Sequence, residues 1–196
     1  YMAAQILPYL EKLQESEELA QQETLRVAVL FSGDTGFYSG CRKLYVELQE
    51  AIAAGQLRGS VRILPGISSV VSLAARVGES YEDAAILSMH GKKLNRLAAT
   101  VESHEKVFLL TSGCEDIRKI GQTLTEAGLG DCEVIAGYQL SYPEENIRIL
   151  TPEQCEEVTE KGLYTCLIRN PHPQPEPLTH GRADTCFLRN ASGPGG

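Results

Sequence analysis

Three short turns hold most of the residue types that could do chemistry in this chain. The first, Ser32-Gly33-Asp34-Thr35-Gly36, follows an apolar run, and its glycines would let backbone N–H and C=O groups approach a ligand closely. Asp34 serves equally as a cap for the next helix. In the second turn, Pro65-Gly66-Ile67-Ser68-Ser69, two hydroxyls stand at a helix start, where they either cap the helix or hydrogen-bond a bound carboxylate or amine. The third, Ser88-Met89-His90-Gly91, places an imidazole past a strand end and beside Lys92, Lys93 and Arg96. That cluster is a solvated helix start or a seat for an anionic small molecule, and His90 is structural or a proton-handling group. No P-loop, G-x-S-x-G elbow or H-E-x-x-H helix occurs, which removes the sequence basis for the corresponding nucleotide-binding, hydrolase and metalloprotease readings.

The elements that position these turns read as alternating strands and helices, an α/β pattern. Leu25–Phe31 predicts a strand, and Tyr38, Cys41, Leu44, Tyr45, Leu48 and Ile52 then recur at helical spacing. Val61–Leu64 predicts a second strand leading into a small-residue helix over 70–77. The polar stretch Gly78–Asp83 marks a hinge between two halves, giving domains at 1–80 and 81–170. Strands are expected at 84–88, 106–110, 133–136, 146–150 and 165–169, with helices in the gaps. Thr151, Pro152 and Gln154 form a capping-box pattern that starts a helix running to about Thr159. From Pro171 onward, alternating prolines predict an extended linker or tail over 171–196.

The 196 residues carry a formal net charge of -8, which disfavours nucleic acid because phosphate neutralisation needs a basic face. No apolar run approaches the roughly 18 to 20 residues that cross a bilayer, and the first residues lack a basic region before an apolar stretch, so no membrane partner and a cytoplasmic location are expected. The six cysteines include no C-x-x-C pair, so no metal site is expected and the thiols read as reduced and structural.

Taken in order, a strand into Ser32-Gly33-Asp34, then Ile63-Leu64-Pro65-Gly66-Ile67-Ser68-Ser69, then Leu109-Leu110-Thr111-Ser112-Gly113 resemble the tetrapyrrole methylase family. With Ser88-Met89-His90-Gly91-Lys92 and 138–145 added, the chain resembles the cobalt-precorrin-7 carbon-5 methyltransferases within it, over roughly Leu7 to Asn170. The resemblance implies two α/β domains, S-adenosyl-L-methionine in the cleft between them, and a homodimer. It further implies that Ser32, Gly33, Asp34 and Phe37 line the methionine end of the cofactor, that Ser68 and Ser69 close one side, and that Leu110 and Tyr138 hold the adenosine. The implied substrate is an anionic corrinoid, a cobalt-precorrin, bound by Ser88, His90, Lys92, Lys93 and Arg96, with Arg42 and Lys43 opposite. His90 is then the candidate catalytic residue.

Two departures from the family pattern stand out. Thr35 takes the place of the family's proline after Gly-Asp, and the opening strand with its Gly-Pro-Gly loop is not found before the helix at Gln5–Leu13, which would leave an unpaired sheet edge. Residues 179–189 resemble the linker to a second, carbon-15 methylating and decarboxylating domain in fused enzymes. The other readings are a methylase acting at a different tetrapyrrole position, a diphthamide or ribosomal-RNA methylase relative, and a non-catalytic binding or scaffold domain.

Overall fold

A computed structural model of the chain describes residues 3–16, 25–89 and 96–174. It divides into two compact units, Tyr1–Glu79 and Ser80–Gly196.

In the first unit, helices α1 (Ala3–Gln14), α2 (Cys41–Ala53) and α3 (Ser69–Val77) carry the regular structure. Leu44, Leu48 and Ala51 recur on one side of α2 because residues three and four apart share a helix face, and with Leu57 they form a small core. Ile6, Leu7 and Leu10 of α1 pack on it, together with Phe31, Ile52 and Val61. Helix α3 begins where the Ser68 hydroxyl accepts a hydrogen bond from the Val71 N–H at 3.2 Å. It ends at Gly78, whose φ of +70° is a left-handed turn that glycine adopts without steric cost.

The strands expected at 25–31 and 61–64 are not formed. Neither stretch enters a ladder among the described residues. A strand is held by a neighbour about 4.8 Å away, and β-rich composition cannot supply one. The consequence is exposure: Leu30 is 91% exposed, and Val27, Ile63, Leu64 and Ile67 are also largely open.

The second unit holds one five-stranded sheet in the order β1-β2-β5-β3-β4, from β1 (Ala85–Ser88), β2 (Lys106–Leu110), β3 (Glu133–Tyr138), β4 (Asn146–Leu150) and β5 (Tyr164–Arg169). β1 and β2 are parallel, and every other pairing is antiparallel. Alternation across the strands sends Val107, Leu109, Val134, Ala136, Cys166 and Ile168 to one face. That face packs against Leu97 and Val101 of α4 (Leu97–Ser103) and against Ile117, Ile120 and Leu124 of α5 (Cys114–Glu126). Full burial of each such side chain contributes about 1.5 to 3 kcal/mol. Phe108, Ile135 and Leu167 point to the other face and are equally buried.

The capping box at Thr151 forms as expected: Thr151 N–H donates to Gln154 Oε1 at 2.9 Å, and Gln154 N–H to Thr151 Oγ1 at 3.3 Å. It opens a 3-10 segment, Glu153–Glu157, and not an α-helix to Thr159. The tighter pitch accompanies close packing, since a Cβ on Gly121 of α5 would collide with the Pro152 carbonyl and the Cys155 side chain. The expected helix between β3 and β4 is also absent, replaced by the turn 139–145.

Candidate functional site

The first unit brings two of the three sequence turns together. A Cβ placed on Gly66 would collide with the carbonyl oxygen of Gly33, so the Gly33-Asp34 and Pro65-Gly66 turns touch backbone to backbone. The Thr35 hydroxyl ties them further by donating to the Leu64 carbonyl at 2.8 Å. Gly33 stands at φ +75°, which a side chain would strain. Ser32, Gly33 and Gly36 are exposed, and Asp34 and Phe37 are half-buried.

Asp34 does not cap α2. Its Oδ1 accepts from the Gly36 N–H at 2.6 Å, a local turn that fixes the loop. The N-cap of α2 is Gly40, without a side-chain cap. Ser68 is buried and committed to capping α3, whereas Ser69 is the first residue of that helix and half-buried. Next to the first turn, Tyr38 combines φ +49° with 61% exposure, and its ring meets Phe37 edge-on at 4.9 Å. Left-handed backbone at an exposed aromatic residue stores strain of the kind that clusters at functional sites. Arg42 and Lys43 lie exposed on α2, and Lys43 is 3.9 Å from Glu47.

In the second unit, β1, β2 and β3 run in one direction, so their carboxyl ends share one rim of the sheet. That rim collects Ser88, Leu110 and Tyr138, which the sequence places far apart. Ser88 pairs with Leu110, Leu110 with Thr165, and Thr165 with Gly137, which puts Tyr138 two strands from Leu110, across β5. The Leu110 carbonyl accepts from the Met89 N–H at 2.9 Å, leaving one lone pair for a further donor. Tyr138 packs against Tyr164 with ring centroids 5.0 Å apart. Arg96 is exposed at the start of α4, while His90, Lys92 and Lys93 lie outside the described residues.

The rim contains further residues that lie within the sequence motifs at 109–113 and 138–145 but were not assigned to the site. Gln139 and Ser141, with φ +46° and +71°, form a strained turn directly after β3. Thr111 is buried and donates to the Tyr164 carbonyl at 2.8 Å, which joins the end of β2 to the start of β5. The motif Leu109–Gly113 marked the position of Thr111 but not its bond, since the partner lies 53 residues away.

Among the described residues, five cysteines are free and buried, and no group of histidine, cysteine and carboxylate side chains is placed to hold a metal. No described helix is long and apolar enough to cross a membrane. A recess lined by Gln122, Glu126, Pro152, Glu153 and Glu156 lies at the other end of the sheet from the rim.

The family model for Tetrapyrrole (Corrin/Porphyrin) Methylases matches residues 9–155. A probable cobalt-precorrin-7 C(5)-methyltransferase of Methanocaldococcus jannaschii is 30% identical over 141 residues, covering 69% of this chain and 62% of that protein. This chain thus spans under two thirds of that relative's length. A cobalamin synthesis related protein (CobF) from Corynebacterium diphtheriae shares the fold at TM-score 0.59 and 17% identity, over 86% of this chain and 70% of that one. A uroporphyrin-III C-methyl transferase from Thermus thermophilus, complexed with S-adenyl homocysteine, shares it at TM-score 0.50 and 16% identity, over 70% of this chain and 62% of that one. The paired glycine turns, the strand-end rim and a family match over three quarters of the sequence lead to one assignment: this chain belongs to the tetrapyrrole methylases.

Proposed function

We propose that the chain is the ligand-binding part of an S-adenosylmethionine-dependent methyltransferase of cobalamin biosynthesis, acting at carbon 5 of a cobalt-precorrin. The observation that carries this reading is the backbone contact of Gly33 with Gly66, a cradle that a single Cβ would fill. It occurs in a chain whose relative in Methanocaldococcus jannaschii bears that activity in its name. Glycine cradles suit a cofactor with a charged, flexible end, because main-chain N–H and C=O groups can reach it without interference from side chains.

When bound, the cofactor supplies a methyl carbon on a positively charged sulfur; transfer breaks that carbon–sulfur bond, forms a carbon–carbon bond to the ring and leaves a neutral thioether. The chain's task is alignment and exclusion of water. Ser32, Gly33, Asp34 and Phe37 hold the methionine end, with Ser69 beside them. Ser68 acts on the ligand indirectly, by fixing the start of α3. Leu110 and Tyr138 take the adenosine at the rim. His90 accepts the proton that the ring gives up, and Ser88, Lys92, Lys93, Arg96 and Arg42 bind the substrate's carboxylates.

In this reading the domains are residues 1–80 and 81–170 with a tail over 171–196. The first is completed by a further strand beside 25–31 or 61–64, whose exposed apolar residues call for one. The protein works in the cytoplasm as a homodimer, and its tail leads to a carbon-15 methylating and decarboxylating domain. The same unladdered segments favour a second reading, a binding or scaffold domain without turnover.

Incubation of the protein with methyl-labelled cofactor and a cobalt-precorrin separates the two. The proposal expects label in the corrinoid, together with at least about tenfold weaker corrinoid binding after combined Lys92→Ala and Arg96→Ala changes, since each charged contact is worth about 1.5 to 3 kcal/mol. Cofactor binding without label transfer supports the scaffold reading. Undiminished corrinoid affinity in the double variant removes the basic cluster from the substrate site.

A further inference from the structure

We infer that Gly162 is a positioning residue for the rim. It lets the Tyr138 ring and the Gln139 amide lie directly on the turn 160–164, so that the end of β3 is held in one shape. In its ligand readout this inference rests on the cofactor reading above.

The turn is a hub. Four of its five carbonyls accept hydrogen bonds: Glu160 from the Tyr164 hydroxyl at 3.2 Å, Lys161 from the Tyr138 hydroxyl at 3.2 Å, Leu163 from the Gln139 N–H at 2.9 Å and Tyr164 from the Thr111 hydroxyl at 2.8 Å. The donors belong to the ends of β2 and β3 and to β5 itself. The remaining carbonyl, that of Gly162, would lie 3.6 Å from a Cβ on Gly113, at the start of α5. The ends of two strands and the start of a helix therefore take their positions from five consecutive residues. Glu160 adds an ion pair to Arg148 of β4 at 3.0 Å.

Glycine at 162 is required by its neighbours and not by its own backbone. Its φ is not in the left-handed region, so alanine could adopt the same backbone. A Cβ there would instead enter the Tyr138 ring at its Cε2 edge and come within 3.0 Å of Gln139 Nε2. The ring would have to turn, lose its hydroxyl bond to Lys161 and leave its place beside Tyr164. Gln139, already strained at φ +46°, would lose the support that offsets that strain.

The test combines one ligand-free and one ligand-bound measurement on the wild-type chain, Gly162→Ala, Tyr138→Leu and the double variant. Without ligand, the Tyr138 ring resonances carry a ring-current shift from Tyr164, and Gly162→Ala is expected to move them; unmoved resonances overturn the inference whatever the ligand does. With S-adenosylhomocysteine, Gly162→Ala is expected to weaken binding about tenfold through overpacking. In the Tyr138→Leu background the same substitution is expected to cost less than about twofold, because the clash with the ring is gone and only the movable end of the Gln139 side chain has to give. An equal loss in both backgrounds, or affinity within about twofold of wild type in Gly162→Ala, overturns the inference. Should Gly162→Ala fail to fold, Tyr138→Phe removes only the bond to Lys161 and is expected to weaken binding about fivefold; unchanged affinity there overturns it too. Absence of binding by the wild-type chain, with the resonances moved as expected, counts against the cofactor reading and leaves the ring's dependence on Gly162 established.

Discussion

The hydroxyl of Thr111 donates 2.8 Å to the main-chain carbonyl of Tyr164, 53 residues further along the chain, and both residues are buried. This bond fastens the end of β2, where Leu110 meets the rim, to the first residue of β5. Replacing Thr111 by Val keeps the shape and leaves the Tyr164 carbonyl without this donor in a dry site, which costs about 1 to 3 kcal/mol. Urea denaturation should show that loss for Thr111→Val and much less for Thr111→Ser, which keeps the donor. A loss in Thr111→Ser with none in Thr111→Val would mean that packing of the methyl group, and not the hydrogen bond, holds the two strands.

The contact between Gly66 and Gly33 makes a second prediction. A Cβ on residue 66 must push the Gly33 carbonyl away, against the Thr35 bond to the Leu64 carbonyl that ties the two turns together. Gly66→Ala is expected to lower stability by about 1 to 3 kcal/mol through overpacking and to abolish measurable S-adenosylhomocysteine binding. Gly55, also at positive φ but with nothing near its missing Cβ, is the control. Gly55→Ala should cost only backbone strain and leave binding intact. Intact binding in Gly66→Ala, measured calorimetrically, would remove the cradle from the site.

Ser68 separates capping from recognition. Its side chain accepts from Val71 N–H, so Ser68→Ala should cost about 1 kcal/mol of thermal stability, and Ser68→Asp, which restores the cap, should recover it. If Ser68 acts on the ligand only by fixing α3, cofactor affinity recovers with the cap. A variant that is stable again but still binds weakly would give the hydroxyl a direct role.

The buried thiols set the alkaline limit. Burial pushes the Cys155 thiol from 9.0 up to about 11, and an effect of the same sign raises Cys166. A group whose pKa is higher in the folded than in the unfolded state stabilises the fold fully below its unfolded value and ceases to do so as pH rises through the folded one. Stability should therefore hold up to about pH 9 and fall between 9 and 11, with a shallower fall in Cys155→Ala. A denaturation midpoint that stays level across that window would contradict the assignment. The same burial predicts slow reaction of these thiols with a disulfide reagent at neutral pH until the chain is unfolded.

Much of this was legible in the sequence wherever the deciding interactions are local. The 3.6-residue spacing of Leu44 and Leu48 marked α2, the runs at 106–110 and 165–169 marked the central strands, and the capping box at Thr151 formed as its residues required. What failed depended on partners. Residues 25–31 have every β-forming feature except a neighbouring strand, and the segment after Pro152 takes a 3-10 pitch where it packs closely on Gly121 of α5. The glycine turns could be read as candidate sites because their chemistry lies within five residues. Their meeting at Gly33 and Gly66, and the dependence of Tyr138 on Gly162, come from contacts across more than twenty residues that no local pattern encodes.

The central claim, that these turns and this rim bind the cofactor of a methyl transfer, is tested most directly by titrating S-adenosylhomocysteine into the purified protein in a calorimeter. Circular dichroism would confirm that the protein is folded. Saturable heat with one ligand per chain is expected, lost in Gly66→Ala and retained in Gly55→Ala. A folded protein that gives no heat, or binding that survives Gly66→Ala undiminished, would contradict it.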